Sequence, residues 1–258
     1  MKRITLFLLL IVLFSNNLFS NSNTTFGTPV KYICGYLCDL DMDEKIDDIV
    51  VYMQGKKDYL LFALLKEKKD YRTFILSKTK RIKQIRIKYG PVVEKNSKKN
   101  TNKMMGWKGK SGPYIAIHDT KSIIESFCWN GNSFDKYQMD YSVKYEYDGE
   151  PLKYLSGYEY DLNLDGINET IIYLQINRKY LVIGLFKEKN TYISRVISES
   201  DFGGVLVCEF ANTITSYENE LVKIYACPGP FISIIYPPSA AVSYFWDKGK
   251  FNEIWTSD

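Results

Sequence analysis

The sequence predicts an all-β protein made of two copies of one unit, and three observations carry that prediction. Short runs rich in Ile, Val, Tyr and Phe are separated by Gly, Pro, Asn and Lys-Gly turns. Beyond the N-terminal segment, no apolar face of period 3.6 is sustained over about 11 residues, which excludes helical bundles and α/β folds. Blocks of sequence also return at a nearly fixed offset. With 258 residues, 45% hydrophobic and 15% aromatic, the chain can bury a core, so disorder and collagen-like repetition are excluded. The net charge of +4 excludes no class of partner.

In chain order, Lys2 and Arg3 precede the apolar run 4–14, and Ser20-Asn21-Ser22 follows with small residues suited to cleavage. This reads as a signal peptide over residues 1–22. The run is shorter than the ~20 residues that span a bilayer, and no Cys follows it as a lipid acceptor. The expectation is a secreted or periplasmic protein with no membrane span after cleavage. Residues 23–34 read as a leader, 35–150 as the first repeat unit and 151–258 as the second.

Gly35-Tyr36 and Asp39-Leu40-Asp41-Met42-Asp43 return 122 residues later as Gly157-Tyr158 and Asp161-Leu162-Asn163-Leu164-Asp165. After a one-residue slip, Tyr59-Leu60 and Lys66-Glu67-Lys68 return as Tyr180-Leu181 and Lys187-Glu188-Lys189. At an offset of 117, Gly112-Pro113 returns as Gly229-Pro230, and Trp129 with Phe134 as Trp246 with Phe251. In the second unit, strands are expected over 169–175, 180–186, 192–197, 205–210, 221–226, 231–236, 241–246 and 251–255. Eight strands per unit divide into two four-stranded blades. The predicted architecture is therefore one β-propeller-like domain of four or five blades over 35–258, with two similar β-sandwich lobes as the alternative.

The loops carry the chemistry. Asp161, Asn163, Asp165 and Glu169 place oxygen ligands at positions one, three, five and nine of a tight loop. One backbone carbonyl adds to the set, and Gly166 sits where a positive φ is required. Hard cations such as calcium take six to eight oxygens at about 2.3–2.6 Å. An EF-hand would continue as a helix; this loop runs into a strand. Magnesium, which keeps its waters, fits less well. The alternative is a solvated Asp-rich turn.

This pattern resembles the integrin-alpha-type FG-GAP and VCBS repeat proteins, whose propeller blades carry an Asp-x-Asp/Asn-x-Asp-Gly-x-x-Asp calcium loop before an apolar strand. The resemblance implies calcium as the cofactor. It assigns Asp161, Asn163, Asp165, Ile167 and Glu169 as ligands in the second unit, and Asp39, Asp41, Asp43, Lys45 (carbonyl) and Asp47 in the first. Glu44 replaces the glycine, so the left-handed conformation is costly there. The similarity covers the two loops and the strands after them, and transfers no cell-adhesion role.

Five Cys remain after cleavage. A hairpin reading sets Cys208 opposite Cys227 as the expected disulfide, with buried free thiols as the alternative. With one His and no paired Cys-x-x-Cys, structural zinc is a poor fit. Between Lys78 and Lys110 there are twelve basic residues against the single acid Glu94. Arg86 and Lys88 alternate with Ile85, Ile87 and Tyr89, as on a half-buried strand with a cationic outer face, and a flexible loop is expected over 94–103. Lys95, Lys98, Lys99, Lys103 and Trp107 are the candidate contacts for an anionic protein or envelope polymer. The alternative is a solvated insertion. An exported chain without interleaved stacking aromatics is a poor nucleic-acid binder.

No Gly-x-Ser-x-Gly elbow, His-Glu-x-x-His helix or Gly-rich phosphate loop is present. His118 corresponds to Ile235 in the second unit, which marks it as structural. The expected function is an exported, calcium-stabilised, non-catalytic binding protein for a protein or envelope component. The alternatives are a carbohydrate-acting enzyme with an acidic cleft and a periplasmic inhibitor or immunity protein against a cell-wall hydrolase.

Overall fold

Residues 49–53, 61–65, 171–174 and 181–186 are apolar at almost every position, not at every second one. Strands of that kind bury both faces, and they form the middle of the molecule. The computed structural model describes residues 27–258, except 56, 82, 91, 97–100, 106–111, 120–121, 138–148, 190, 219–220, 239 and 258. The expected signal peptide lies outside the described residues.

The chain opens with a short strand, β1 (Thr28–Pro29), and a meander of β2 (Lys31–Cys38), β3 (Asp48–Gln54), β4 (Tyr59–Glu67) and β5 (Asp70–Thr79). Next come β6 (Gln84–Gly90), the hairpin β7 (Val92–Asn96) and β8 (Thr101–Met105), then β9 (Gly112–Asp119), β10 (Ser122–Trp129) and β11 (Phe134–Tyr137). A second short strand, β12 (Glu150–Pro151), leads the meander β13 (Lys153–Tyr160), β14 (Glu169–Ile176), β15 (Lys179–Glu188) and β16 (Thr191–Ser200). The chain ends with β17 (Val205–Glu218), β18 (Leu221–Tyr236), β19 (Ala240–Asp247) and β20 (Lys250–Ser257). No helix occurs among the described residues, so the protein is all-β as predicted.

Four antiparallel sheets result: β12-β2-β3-β4-β5, β11-β10-β9-β6, β1-β13-β14-β15-β16 and β17-β18-β19-β20, besides the hairpin β7-β8. Side-chain alternation in the central strands shows how they stack. Ile49, Val51, Phe62 and Leu64 point from the first sheet into one cluster with Ile172, Leu174, Ile183 and Leu185 of the third. Val50, Tyr52, Leu61 and Ala63 point the other way, onto Ile85, Ile87, Ile115 and Ile117 of the second sheet. Ile171, Tyr173 and Val182 meet Leu206, Ile232 and Ile234 of the fourth. The first and third sheets therefore form the centre, and the second and fourth cover their outer faces. Among the described residues no core cluster joins the two outer sheets. The closed ring of four or five blades is not shown by this packing.

The halves are tied by reciprocal strand exchange. β1 pairs with β13 of the second half, and β12 with β2 of the first. The amide of Val30 donates to the Gly157 carbonyl (2.9 Å) and that of Leu152 to the Gly35 carbonyl (3.0 Å), with donors and acceptors both 122 residues apart. Tyr154 Oη donates to the Val30 carbonyl (3.1 Å), and the Tyr32 and Tyr154 rings stack with centroids 4.6 Å apart and planes within 1°. At the opposite edge, Val196 N donates to Asp70 Oδ1 (2.9 Å) and Ser194 Oγ to the Tyr71 carbonyl.

Several expectations need correction. The boundary drawn at residue 35 cuts β2, and that at 150/151 cuts β12, because each half begins with a strand lent to the other. The expected strands 221–226 and 231–236 are one strand, β18. Gly229, at φ 141°, and a register shift opposite it between Ala211 and Thr213 let pairing pass through Gly229-Pro230. The stretch 94–103, expected as a loop, lies largely in the β7-β8 hairpin, with Glu94 opposite Lys103. The expected Cys208–Cys227 bridge does not form: register sets Cys208 opposite Ile232, five residues from Cys227, and Cys208 is a buried free thiol.

Candidate metal loops

The loop joining β2 to β3 and the loop joining β13 to β14 have the same backbone wiring. In the first, Asp43 N donates to Asp39 Oδ1 (3.1 Å), Glu44 N to Asp39 Oδ2 (3.1 Å) and Lys45 N to Asp43 Oδ1 (2.9 Å). In the second, Asp165 N donates to Asp161 Oδ1 (3.1 Å), Gly166 N to Asp161 Oδ2 (2.9 Å) and Ile167 N to Asp165 Oδ1 (2.7 Å). Asp41 Oδ1 and Asn163 Oδ1 accept from Asp43 N and Asp165 N in turn (3.2 and 3.0 Å). Two residues of each loop are left-handed: Met42 (φ 61°) and Glu44 (φ 71°), Leu164 (φ 59°) and Gly166 (φ 83°). Glu44 thus adopts the conformation that its side chain disfavours, and the first loop keeps the shape of the second.

These turns draw the acidic side chains together. Asp39, Asp41 and Asp43 each offer an oxygen, all within 4.8 Å of one another. Asp47 stays outside that group. Burial, then the charge of Asp43, holds the Asp41 carboxyl above its ordinary range, and the same two causes act on Asp47. Lys45 Nζ lies 2.5 Å from Asp43 Oδ2 and lowers that carboxyl, so an ammonium sits against the cluster. In the second loop, Asn163 Nδ2 donates to Asp165 Oδ2 (3.2 Å). A close set of hard oxygen donors, partly desolvated and mutually repelling, is what a hard cation requires. Among the described residues the Asp39-Asp41-Asp43 cluster is one that could hold a metal ion.

Behind each loop stands a buried carboxylate. Glu169 Oε2 accepts from Leu162 N (2.7 Å), and Asp48 Oδ2 from Leu40 N (2.7 Å), with Asp48 Oδ1 accepting from Lys66 N (2.9 Å). Burial pushes both up to about 7. The two hold corresponding register positions, Asp48 opposite Cys38 and Glu169 opposite Tyr160. The sequence reading matched Glu169 with Asp47 and missed Asp48. A signal was present: the offset is already 121 at Tyr59 and Tyr180, so one residue is lost between Asp43 and Tyr59, a span that includes Asp48.

Elsewhere, Ile85 and Ile87 are buried and Arg86 exposed, as expected of a strand with a cationic outer face, but Tyr89, expected on the inner face, is exposed. Lys78 and Lys80 both pair with Asp58 (3.0 and 2.5 Å). Lys95 lies on β7 and Lys103 on β8; Lys98, Lys99 and Trp107 lie outside the described residues. Trp129 packs against Phe134 and Phe74 in the core, and Trp246 against Phe251 and Phe186. Burial pushes the thiol of Cys34 up to about 11 and those of Cys128 and Cys208 up to about 12. These three are poor nucleophiles at neutral pH. No described helix is long and apolar enough to cross a membrane. Compared with protein-family models, characterised proteins and solved structures, the chain matches none.

Proposed function

We propose that the chain is an exported, calcium-stabilised binding protein for a protein or cell-envelope component, built from two copies of one unit arranged as two sandwich lobes that share their central sheets. One observation carries this reading: two acidic loops, 122 residues apart, have the same hydrogen-bond wiring and left-handed turns, and in the first three carboxylates converge. Asx turns alone explain one such loop. Retention of the geometry at Glu44, against its conformational preference, supports a requirement beyond turn formation. Asp39, Asp41 and Asp43 would hold the first ion, with Asp161, Asn163 and Asp165 holding the second; bound calcium would neutralise their repulsion and lock the β2-β3 and β13-β14 connections. Arg86 on β6, Lys95 on β7 and Lys103 on β8 are the described residues assigned to meet an anionic partner.

Calcium binding to metal-free protein, followed by calorimetry, is expected to show two ions per chain, and one each in Asp39→Ala and Asp161→Ala. An unchanged stoichiometry in both variants, or no binding, would reject the reading. Capture of the tagged protein's partner from envelope extract, with and without calcium, tests the target class.

A further inference from the structure

The fourth sheet curls. The far end of β17 returns toward β20, where Ser216 Oγ donates to the Trp255 carbonyl (2.5 Å), and the enclosed face carries the cluster Ile214, Phe231 and Ile254. Along this face runs a groove of about 380 Å³ whose walls include Ile214, Phe231, Ile235 and Pro238. Among the described residues one charged side chain lines it, Glu209. Ser233 Oγ donates to Glu209 Oε2 (2.7 Å) and shares a hydrogen bond with Ser243 Oγ (2.8 Å); both serines are buried. The carboxylate is thereby oriented, and among the described residues no Lys, Arg or His pairs with it.

We infer that this groove is a binding site for a small organic cation, a primary ammonium on a short apolar stem, with Glu209 as its counter-ion. A groove of this size suits a small molecule. The lining is mixed, with the hydroxyls of Thr213, Thr215, Ser233, Ser243 and Thr256 beside the apolar side chains. One carboxylate is too little charge for a hard metal ion, but it matches an ammonium, from which the hydroxyls can also accept, while Ile214, Phe231 and Ile235 cover a hydrocarbon stem. The first half shows that the fold does not require this carboxylate. There Lys88 stands opposite Tyr114 as Glu209 stands opposite Phe231, and Ala116 faces Ser126 where Ser233 faces Ser243. Both halves build the same four-stranded sheet around opposite charges.

The inference rests on the reading of the chain as a binding protein, but not on the metal loops. It is tested by titrating the full chain with 1-aminohexane and with its neutral counterpart 1-hexanol, in calcium and in chelator. Saturable binding of the amine is expected, with the alcohol about tenfold weaker or more, since a charge-assisted hydrogen bond is lost. Glu209→Gln, which keeps the shape and an acceptor for Ser233, is expected to bring the amine down to the alcohol's affinity at an unchanged melting temperature. Glu253→Gln, on the same sheet outside the groove, is the control and leaves binding intact. Equal binding of amine and alcohol, no saturable amine binding, or full affinity in Glu209→Gln would overturn the inference. If calcium stoichiometry is as expected in the same samples, such a result rejects the groove alone.

Discussion

Glu44 and Gly166 occupy equivalent left-handed positions, at φ 71° and 83°. That conformation costs an L-residue about 1–2 kcal/mol, so the two positions predict opposite signs. Gly166→Ala meets no atom within 4 Å, and its cost is purely conformational. It is expected to lower the melting temperature by about 2–4 °C per kcal/mol. Glu44→Gly relieves strain but frees the unfolded chain, and is expected to leave stability level or raise it by up to about 1 kcal/mol. A second residue-scale prediction concerns His118. Burial first, then the nearby charges of Lys88 and Arg86, hold its imidazole below the ordinary value. The folded chain therefore binds fewer protons than the unfolded one as pH falls through about 6.5, and stability present above that pH is lost below it. His118→Ile, the residue at the equivalent position 235, is expected to flatten this part of the melting-temperature profile between about pH 8 and pH 5. An unchanged slope would show that His118 does not contribute.

At the scale of elements, the glycines of the Gly-Tyr pairs lie where neighbouring strands approach closely. A Cβ on Gly35 would lie 2.7 Å from the Val50 carbonyl oxygen, and one on Gly157 would lie 2.6 Å from that of Ile171. Backbone cannot yield there cheaply, so Gly35→Ala and Gly157→Ala are each expected to cost about 1–3 kcal/mol, measured by denaturant unfolding. Equal and small effects would mean that the β2-β3 and β13-β14 contacts at these glycines are loose. Much of this level was legible in sequence. The Ile/Val-rich runs became β3, β4, β14 and β15, and the alternation of Ile85 and Ile87 with Arg86 and Lys88 gave β6 its inner and outer faces. What failed has local causes. Pro230 reads as a strand breaker, yet a shift in the β17-β18 register carries pairing through it. The short strands β1 and β12 have no pattern of their own, because each is defined by a partner about 120 residues away.

For the whole molecule, continuous apolar strands imply two covered faces but do not say by which sheets. Four meanders suit a ring of blades as well as a layered stack. Ile49 and Val51 pack toward the third sheet, and Val50 and Tyr52 toward the second, so the first sheet is covered on both faces; a closed ring is not shown. The turns of the acidic loops were legible because the residues that make them are local in sequence, although Asp47 stays outside the carboxylate cluster and Asp48 was missed; the Glu209 groove was not, because its walls come together only when β17 curls back to β20. Both metal loops enter strands of the two central sheets, so an ion bound there stabilises the shared core. The most direct test is the melting of metal-free protein in millimolar calcium and in chelator. A ligand held only by the folded state raises stability by mass action, by about 2.7 kcal/mol at a hundredfold excess over Kd. A higher melting temperature in calcium is expected, roughly halved in its increment by either Asp39→Ala or Asp161→Ala and lost in the double variant. Identical melting in calcium and chelator would contradict the account.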